Sequence, residues 1–157
     1  MILVLENIRS LTNVGTILRT ADALAIECLY FCGITPAPVD RFGNVRGKLA
    51  KISLGAERTV QWKKVRSCST LLKRLKTAGH RIFALEQSPR SVPYHQARLK
   101  GGVSSKVVLV AGNEVSGLSK GALELSDKVL EIPMRGVKES LNVAVALAII
   151  GFHLRYS

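Results

Sequence analysis

Three polar clusters follow apolar runs of the chain, and their side chains can bind and orient a polar substrate. The clusters are ENIRSLTNVGTILRTADA (6–23), LVAGNEVSGLSKG (109–121) and EIPMRGVKESLN (131–142). Their candidates for chemistry are Asn13, Arg19, Glu114, Ser140 and Asn142. Amides, a guanidinium, a carboxylate and a hydroxyl are groups that can hold a substrate hydroxyl or phosphate and handle its proton.

Each cluster taken alone also has an ordinary structural explanation. Asn13 is a predicted N-cap of the first helix, and Ser140 is a predicted N-cap of the last helix, with Asn142 in its first turn. Gly112 and Gly117 are typical of a plain strand–turn–helix connection. The same glycines would let backbone N–H and C=O groups face a ligand. Residue types alone leave both interpretations open.

Several chemistries are disfavoured by motif and spacing. The second cluster contains neither GxGxxG nor GxxxxGK[ST], so no dinucleotide or P-loop site is indicated. No histidine lies near Ser140 in sequence, so a Ser–His–Asp hydrolase would need a distant partner. The three cysteines lack CxxC spacing and the three histidines stand apart, so neither a disulfide framework nor a metal site is predicted. We expect Cys28 and Cys32 to line a strand as small hydrophobes.

The elements that must position these residues alternate between strands and helices. Apolar runs predict strands at 2–5, 28–33, 59–62, 81–86, 106–112 and 128–134. Helical spacing predicts a first helix that starts at Asn13 and further helices at 67–78, 119–126 and 140–156. A long loop is predicted at 35–48, and a short helix near His95.

Strands rich in Val, Ile and Leu that alternate with helices predict an α/β fold, a mostly parallel sheet with helices on both faces. In such sheets ligands bind at the carboxyl ends of the strands. Polar loops follow the predicted strands after Leu5, Val110 and Ile132, so we expect the chemistry there.

Length and hydropathy predict one domain, residues 1–157, in the cytoplasm. Met1 leads straight into ILVL without a basic segment or cleavage site, so no signal peptide is predicted. The apolar run of 12 residues that ends at Phe152 is too short to cross a bilayer, which needs about 20 residues.

The net charge of +12 is concentrated in one part of the chain. Residues 41–81 carry twelve Lys or Arg against one acid, Glu57, whereas residues 1–40 carry two bases and four acids. This asymmetry favours a surface that attracts a polyanion, nucleic acid above all, over a merely solvated face. Lys63, Lys64 and Arg66 are the cations that we expect to contact phosphates.

In their order and spacing, the three clusters resemble the SpoU–TrmH family of SPOUT RNA ribose 2′-O-methyltransferases. The matching residues are Asn13, Gly15, Arg19 and Thr20 in the first cluster, LVAGNEVSGLS in the second and IPMRGVKESLNVAVA in the third. The resemblance spans residues 3–156. It implies an α/β domain with a C-terminal deep trefoil knot, the cofactor S-adenosylmethionine, and transfer or ribosomal RNA as substrate.

The resemblance also implies roles for individual residues. The residues implied to hold the cofactor are Leu85, Gly112, Ile132, Met134 and Leu141. The residues implied to form the catalytic set are Asn13, Arg19, Glu114, Ser140 and Asn142. Arg19 is implied as the base, but a guanidinium keeps its proton under almost all conditions, so a phosphate clamp is the alternative role.

Two rival functions stay open at this point: a SPOUT methyltransferase that acts on an RNA base, and a basic RNA-binding module without catalysis. The chain begins within the predicted catalytic domain, so no separate N-terminal RNA-binding domain is expected. We also expect a homodimer, because the last helix is apolar almost all round and one small domain covers only part of it.

Overall fold

The computed structural model describes residues 1–97 and 106–156 of the chain. Within them, strands and helices follow one another along the sequence. The strands are β1 Ile2–Glu6, β2 Cys28–Cys32, β3 Trp62–Val65, β4 Arg81–Leu85, β5 Val92–Pro93, β6 Val107–Ala111 and β7 Lys128–Glu131. The helices are α1 Leu11–Ala23, α2 Gly47–Ser53, α3 Ala56–Thr59, α4 Cys68–Thr77, α5 Lys120–Leu125 and α6 Val143–Tyr156.

In these ranges the strands form a parallel sheet of seven in the order β3-β2-β1-β6-β4-β7-β5. The predicted α/β fold with a mostly parallel sheet is therefore confirmed. The central strands β1, β2 and β6 are buried along their whole length. Strands covered on both faces gain from apolar residues at every position, which explains runs such as ILVL and VVLV.

Helices cover both faces of the sheet, and the side chains of β1 divide between two cores. Leu3 and Leu5 belong to a core that also contains buried residues of α1, α2, α3 and α6. Ile2 and Val4 point the other way, into a core with α4 and α5. Both cores are built mainly from aliphatic side chains, and burial of apolar surface contributes about 25 cal/mol per Å².

Two predicted elements are shifted along the sequence. The strand predicted at 59–62 is wrong, because Thr59 ends α3 and the strand begins only at Trp62, opposite Leu29 of β2. The indole of Trp62 packs edge-on against Phe31, with 5.9 Å between ring centroids, and this contact fixes the register of β3. The predicted long loop ends earlier than expected, because α2 begins at Gly47.

Helix starts differ from the prediction for a local reason. α1 begins at Leu11, and its N-cap is Ser10, whose Oγ accepts a hydrogen bond from the backbone N–H of Asn13 at 3.2 Å. The predicted capping role of Asn13 is therefore wrong. Asn13 lies in the first turn of α1, so its side-chain amide is available for other partners.

The predicted burial of Cys28 and Cys32 in a strand is confirmed, since both lie buried on β2. The short helix expected near His95 is a single 3₁₀ turn, Tyr94–Gln96. Part of the loop that precedes β6 lies outside the described residues. Among the described residues, no helix combines the length and apolar character needed to span a membrane. The C-terminal trefoil knot stays a prediction.

Gly15 allows α1 and α2 to approach closely. A Cβ built at Gly15 would lie 2.8 Å from Ile52 Cγ2 and 3.3 Å from the carbonyl oxygen of Leu49. We predict that Gly15→Ala lowers the free energy of unfolding by about 1–3 kcal/mol, because α2 must move outward. Urea denaturation measures this change. Gly47→Ala is the matched control, because nothing lies within 4 Å of a Cβ there, and equal stability of the two variants would contradict the prediction.

Candidate active site

A cavity of about 370 Å³ opens where β4, β6 and β7 end. The segment that leads into α6 forms its remaining wall. Its lining residues are Leu85, Glu86, Gln87, Gly112, Asn113, Glu114, Glu131, Ile132, Met134, Ser140, Leu141, Asn142, Val143 and Ala146. The cavity thus lies at the carboxyl edge of the sheet. The loops after Val110 and Ile132 line it as predicted, whereas the predicted loop after Leu5 does not, and the end of β4 at Leu85 was not among the strand ends predicted to carry the chemistry.

All five residues predicted to hold a cofactor line this cavity: Leu85, Gly112, Ile132, Met134 and Leu141. Three residues of the predicted catalytic set line it as well: Glu114, Ser140 and Asn142. The structure therefore brings eight of the ten predicted site residues to one place, although they lie on three separate segments of the chain.

The turn after β6 presents backbone to the cavity because two glycines permit it. A Cβ on Gly112 would lie 2.5 Å from both the carbonyl carbon of Gly117 and the backbone nitrogen of Leu118. Gly117 has φ +66°, a left-handed conformation that favours glycine. Asn113 closes the turn: its Oδ1 accepts hydrogen bonds from the N–H groups of Val115 and Ser116 at 2.9 and 3.0 Å.

A chain of hydrogen bonds joins the three polar clusters. Asn13 Nδ2 donates to Glu114 Oε1 at 2.8 Å, and Asn142 Nδ2 donates to Asn13 Oδ1 at 3.0 Å. Asn13 is buried at this junction, and its amide uses one donor and its acceptor there. The contact between the first and second clusters is reinforced by Asn113 Nδ2, which donates to the carbonyl oxygen of Asn7 at 2.8 Å.

The Glu114 carboxyl is held in its ionised form. Partial burial acts to raise its pKa, but hydrogen bonds from Asn13 Nδ2 and from the backbone N–H of Arg9 outweigh burial, so the pKa lies below its ordinary value. At neutral pH this group is an anionic acceptor, and an anion with a low pKa is a weak proton acceptor. Its geometry therefore suits the fixing of Asn13.

Asn142, and not Ser140, caps the N-terminus of the last helix, α6. Asn142 Oδ1 accepts a hydrogen bond from the N–H of Ala144 at 2.9 Å, and its carbonyl accepts from Ala146. The prediction that Ser140 caps α6 is wrong, because two further residues separate it from the first helical residue, Val143. Ser140 instead lies exposed on the wall of the cavity.

Arg19 lies apart from the cavity. It is exposed on α1, and it forms no hydrogen bond or ion pair with another residue of the described ranges. Its position, six residues after Asn13, puts it about 9 Å further along the helix axis. Gly15, one turn before Arg19, is the residue at which α2 packs, so α1 lies against the part of the basic segment 41–81 that forms α2.

Six lining residues were not among the predicted site residues: Glu86, Gln87, Asn113, Glu131, Val143 and Ala146. Glu86 Oε2 accepts from the N–H of Leu118 at 2.8 Å, and Glu131 Oε2 accepts from Ser91 Oγ at 2.6 Å. Gln87 Nε2 donates to the carbonyl oxygen of Glu139 at 2.7 Å and so ties β4 to the Ser140 segment. Glu86 ends the predicted strand 81–86 and Gln87 follows it, so their position at a strand end was the available signal, whereas Glu131 lies inside the predicted strand 128–134 and gave none.

The basic segment 41–81 exposes no acid to solvent, because its one acid, Glu57, is buried. The side chain of Glu57 is 4% exposed. Its carboxylate accepts from Ser53 Oγ, which lowers its pKa against the opposing effect of burial. Lys64 departs from the expected role: its Nζ donates to the carbonyl oxygens of Gly33 and Thr35. Lys63 and Arg66 are exposed.

Metal chemistry has no candidate ligand set in the part of the chain that the structure describes. No group of three or more His, Cys, Asp or Glu side chains there could hold a metal ion. The polar groups of the cavity are instead backbone, amides, one hydroxyl and three carboxylates.

The chain is similar to known RNA-modifying enzymes along almost its whole length. A profile of the SpoU rRNA methylase family matches residues 1–152. A 23S rRNA (guanosine-2′-O-)-methyltransferase of Neisseria meningitidis is 30% identical over 150 residues, 96% of this chain and 56% of that protein. A tRNA (guanosine(18)-2′-O)-methyltransferase of Aquifex aeolicus is 32% identical over 154 residues, 96% of this chain and 66% of that protein. The chain spans between about half and two thirds of the length of these relatives.

The fold is similar to that of solved structures as well. The AdoMet-bound rRNA methyltransferase of Sinorhizobium meliloti superposes with a TM-score of 0.83 at 28% identity, over 97% of this chain and 54% of that one. A likeness over so much of the chain includes the strands and the segments that build the cavity.

The lowered pKa of Glu114 predicts a pH-dependent contribution to stability. Because the pKa is lower in the folded chain, the contribution is complete above the unfolded value of about 4.3 and is lost as pH falls through the folded pKa. We predict that Glu114→Gln lowers the free energy of unfolding at pH 7 by at most about 1 kcal/mol, since the carboxylate is partly exposed, and that the difference from wild type disappears at acidic pH.

Urea denaturation at a series of pH values measures this difference. Glu124→Gln removes one negative charge from the exposed side of α5 and serves as the matched control. A difference between wild type and Glu114→Gln that stays constant down to strongly acidic pH would contradict the assignment.

Proposed function

Because this chain belongs to the SpoU rRNA methylase family, we propose that it transfers a methyl group from S-adenosylmethionine to a ribose 2′-hydroxyl of transfer or ribosomal RNA. The observation that carries the proposal is that one cavity is lined by every residue predicted for the cofactor and by three of the predicted catalytic set. The relatives named above, guanosine 2′-O-methyltransferases of ribosomal and transfer RNA, support the same reaction.

The cavity fits S-adenosylmethionine in size and chemistry. Its volume of about 370 Å³ falls within the range of small-molecule sites, about 300–1,000 Å³. Gly112 exposes its backbone to the cavity, and a Cβ there would clash with the Gly117 turn. Leu85, Ile132 and Leu141 form the apolar part of the cavity wall. When bound, the cofactor would supply an electrophilic methyl group on a positively charged sulfur.

The carboxylates of the cavity complement the charge of this cofactor. S-adenosylmethionine carries positive charge on its sulfonium and its amino group. Glu86 and Glu131 face the cavity, and each keeps its position through a hydrogen bond to a neighbouring segment. Their negative charge favours a cationic ligand there more strongly than it would in open water.

The amides and hydroxyl at the cavity wall are suited to position the ribose. Ser140 is exposed to an incoming hydroxyl, and Asn142 is fixed beside it by its bond to Asn13. Methyl transfer requires the attacking oxygen in line with the methyl group, so a rigid wall raises the rate. Glu114 holds Asn13, and the proton that the 2′-hydroxyl loses on methyl transfer passes to solvent water at the open side of the cavity, where Ser140 is exposed.

Arg19 is assigned to the RNA and not to the cofactor. It is exposed on α1 outside the cavity, and its charge suits a phosphate of an RNA strand bound across the cavity mouth. A guanidinium that keeps its proton attracts phosphate and orients it through its planar fork of donors. Arg19 therefore clamps a phosphate next to the reacting ribose, beside the exposed cations of 41–81.

The outer face of α6 supports the proposed homodimer. Val145, Phe152 and Tyr156 are 40–73% exposed, and they lie within about 40° of one another around the helix. The rings of Phe152 and Tyr156 stack at 6.1 Å. An apolar stripe of this kind is typical of an interface, and a second copy of the chain supplies the matching stripe. The knot implied by the resemblance belongs to the same C-terminal segment.

Radiolabelled methyl transfer to total RNA, followed by mapping of ribose methylations, tests the proposed reaction. Gly112→Ala should abolish binding of S-adenosylmethionine in calorimetry, because a Cβ would push the Gly117 turn out of place. Gly121→Ala is the matched control, since its Cβ would meet only Ser69 at an ordinary 3.6 Å. Cofactor binding without methyl transfer to any RNA would contradict the proposal.

For Arg19, we predict that Arg19→Ala folds and binds S-adenosylmethionine as wild type does but transfers methyl groups at least roughly a hundredfold more slowly. We expect little recovery in Arg19→Lys, because lysine keeps the charge and loses the fork. Lys120→Ala, on a helix across the sheet, controls for the loss of one surface cation. Wild-type turnover in Arg19→Ala would remove this residue from the catalytic set.

For the dimer, we predict twice the mass of one chain in light scattering at micromolar concentration. Phe152→Glu should give a folded monomer, because a charge would be buried against the partner's apolar stripe. Leu54→Glu is the control, since Leu54 is exposed on a different helix end. A monomeric wild-type chain would contradict the prediction.

A further inference from the structure

The loop between β2 and α2 contains a hydrogen-bonded hairpin built around Asp40. Its two arms meet in an antiparallel bridge between Val39 and Val45. Asp40 Oδ1 accepts hydrogen bonds from the N–H groups of Phe42 and Asn44 at 2.8 and 2.9 Å. Gly43, with φ +84°, completes the turn. The carboxylate of Asp40 thus faces the loop's own N–H groups.

This hairpin presents an aromatic ring to solvent. Phe42 is 73% exposed at the tip, whereas Phe31 and Phe83 are both buried in the core that also contains Leu3 and Leu5. The guanidinium of Arg41 lies over the ring of Phe42, 4.7 Å from its centroid. A ring fixed on an ordered backbone, paired with a cation, loses little conformational entropy when a flat group stacks on it.

The base of the hairpin is tied to the candidate active site. The N–H of Ile34 donates to Asn7 Oδ1 at 3.1 Å, and the carbonyl of Asn7 accepts from Asn113, a residue of the cavity wall. The ammonium of Lys64 bonds the carbonyl oxygens of Gly33 and Thr35 on the same stretch. The hairpin is therefore held in a fixed relation to the cavity.

Charge around the hairpin selects the class of partner. The chain that continues from it carries the exposed cations Lys48, Lys51 and Arg58, and the acid of that stretch, Glu57, is buried. An isolated exposed aromatic among cations is the arrangement of single-strand nucleic-acid sites, in which bases stack on rings and phosphates bind cations.

We propose that Phe42 is a stacking platform for an unpaired base of the RNA substrate, a base outside the cavity that helps to select which nucleotide is methylated. The inference rests on the proposed function, because it takes RNA as the substrate. Arg41 contacts the phosphate beside the stacked base. Bases in loops of folded RNA are unpaired and accessible, so the platform favours a ribose in a loop over one in a continuous duplex.

The test measures binding of a short unstructured RNA over a series of salt concentrations. Stacking carries no charge, so Phe42→Ala should weaken binding about 5- to 100-fold at every salt concentration and leave the slope of log affinity against log salt unchanged. Phe42→Trp should retain the affinity. Lys63→Ala with Arg66→Ala should instead flatten the slope by about 0.7 for each phosphate contact that is lost.

Leu54→Ala is the matched control, because Leu54 is an equally exposed apolar residue of the same basic segment without an aromatic ring, and it should bind as wild type does. Affinity of Phe42→Ala equal to wild type, or Phe42→Trp no better than Phe42→Ala, would overturn the inference. So would a loss of dimer mass in Phe42→Ala without a change in RNA affinity, since the ring would then contact protein.

The failure of this inference is distinguishable from failure of the proposed function. If wild type and Phe42→Ala methylate total RNA equally and at the same positions, the platform is wrong and the reaction stands. If wild type neither binds nor methylates any RNA, the proposed function fails, and the inference is overturned with it. A reduced and less selective set of methylations in Phe42→Ala supports the platform directly.

Discussion

The site depends on one hydrogen bond, from Asn13 Nδ2 to Glu114 Oε1. It joins residues that are 101 positions apart, and the second bond of Asn13 reaches Asn142, 129 positions away. An amide has a donor end and an acceptor end, so it can bridge an anionic carboxylate and another amide. Aspartate at this position would offer no donor to Glu114 and would place two carboxylates together. The residue type of Asn13 is therefore a chemical requirement.

The fold was predictable where burial alone decides it. Strands covered on both faces are continuous apolar runs, and these were found; β5, with Val92 and Pro93, is too short to give such a run. Where neighbouring polar residues compete for one cap, composition was insufficient. Ser10 and Asn13 both suit the start of α1, and Ser140 and Asn142 both suit the start of α6. Which residue of each pair becomes the N-cap depends on partners far away in sequence. The Asn13 amide is hydrogen-bonded to Glu114, and Ser10 is the N-cap of α1.

The candidate site was predictable to the extent that its residues form local clusters. The glycine turn at Gly112 and the segment before α6 each carry a recognisable sequence, and the strand order brings them together. Glu86 and Gln87 belong to no recognisable sequence motif. Their importance arises from contacts with Leu118 and Glu139, which only the folded sheet brings near. Arg19 is the opposite case: its sequence signal is clear, but the cavity of its own chain does not include it, as expected of a group that acts on a large substrate.

The boundary between the apolar α6 and its polar entrance explains how one segment serves both core and chemistry. Asn142 caps the helix through its Oδ1, reaches Asn13 through its Nδ2, and still lines the cavity. The helix dipole leaves uncompensated N–H groups at this end, and an amide satisfies one of them without the charge of an acid. An acid here would face Glu114 across Asn13 and repel it. Because the apolar body of α6 is fixed in the core by residues such as Leu147 and Ile150, its first residues can be polar and partly exposed without loosening the wall of the cavity.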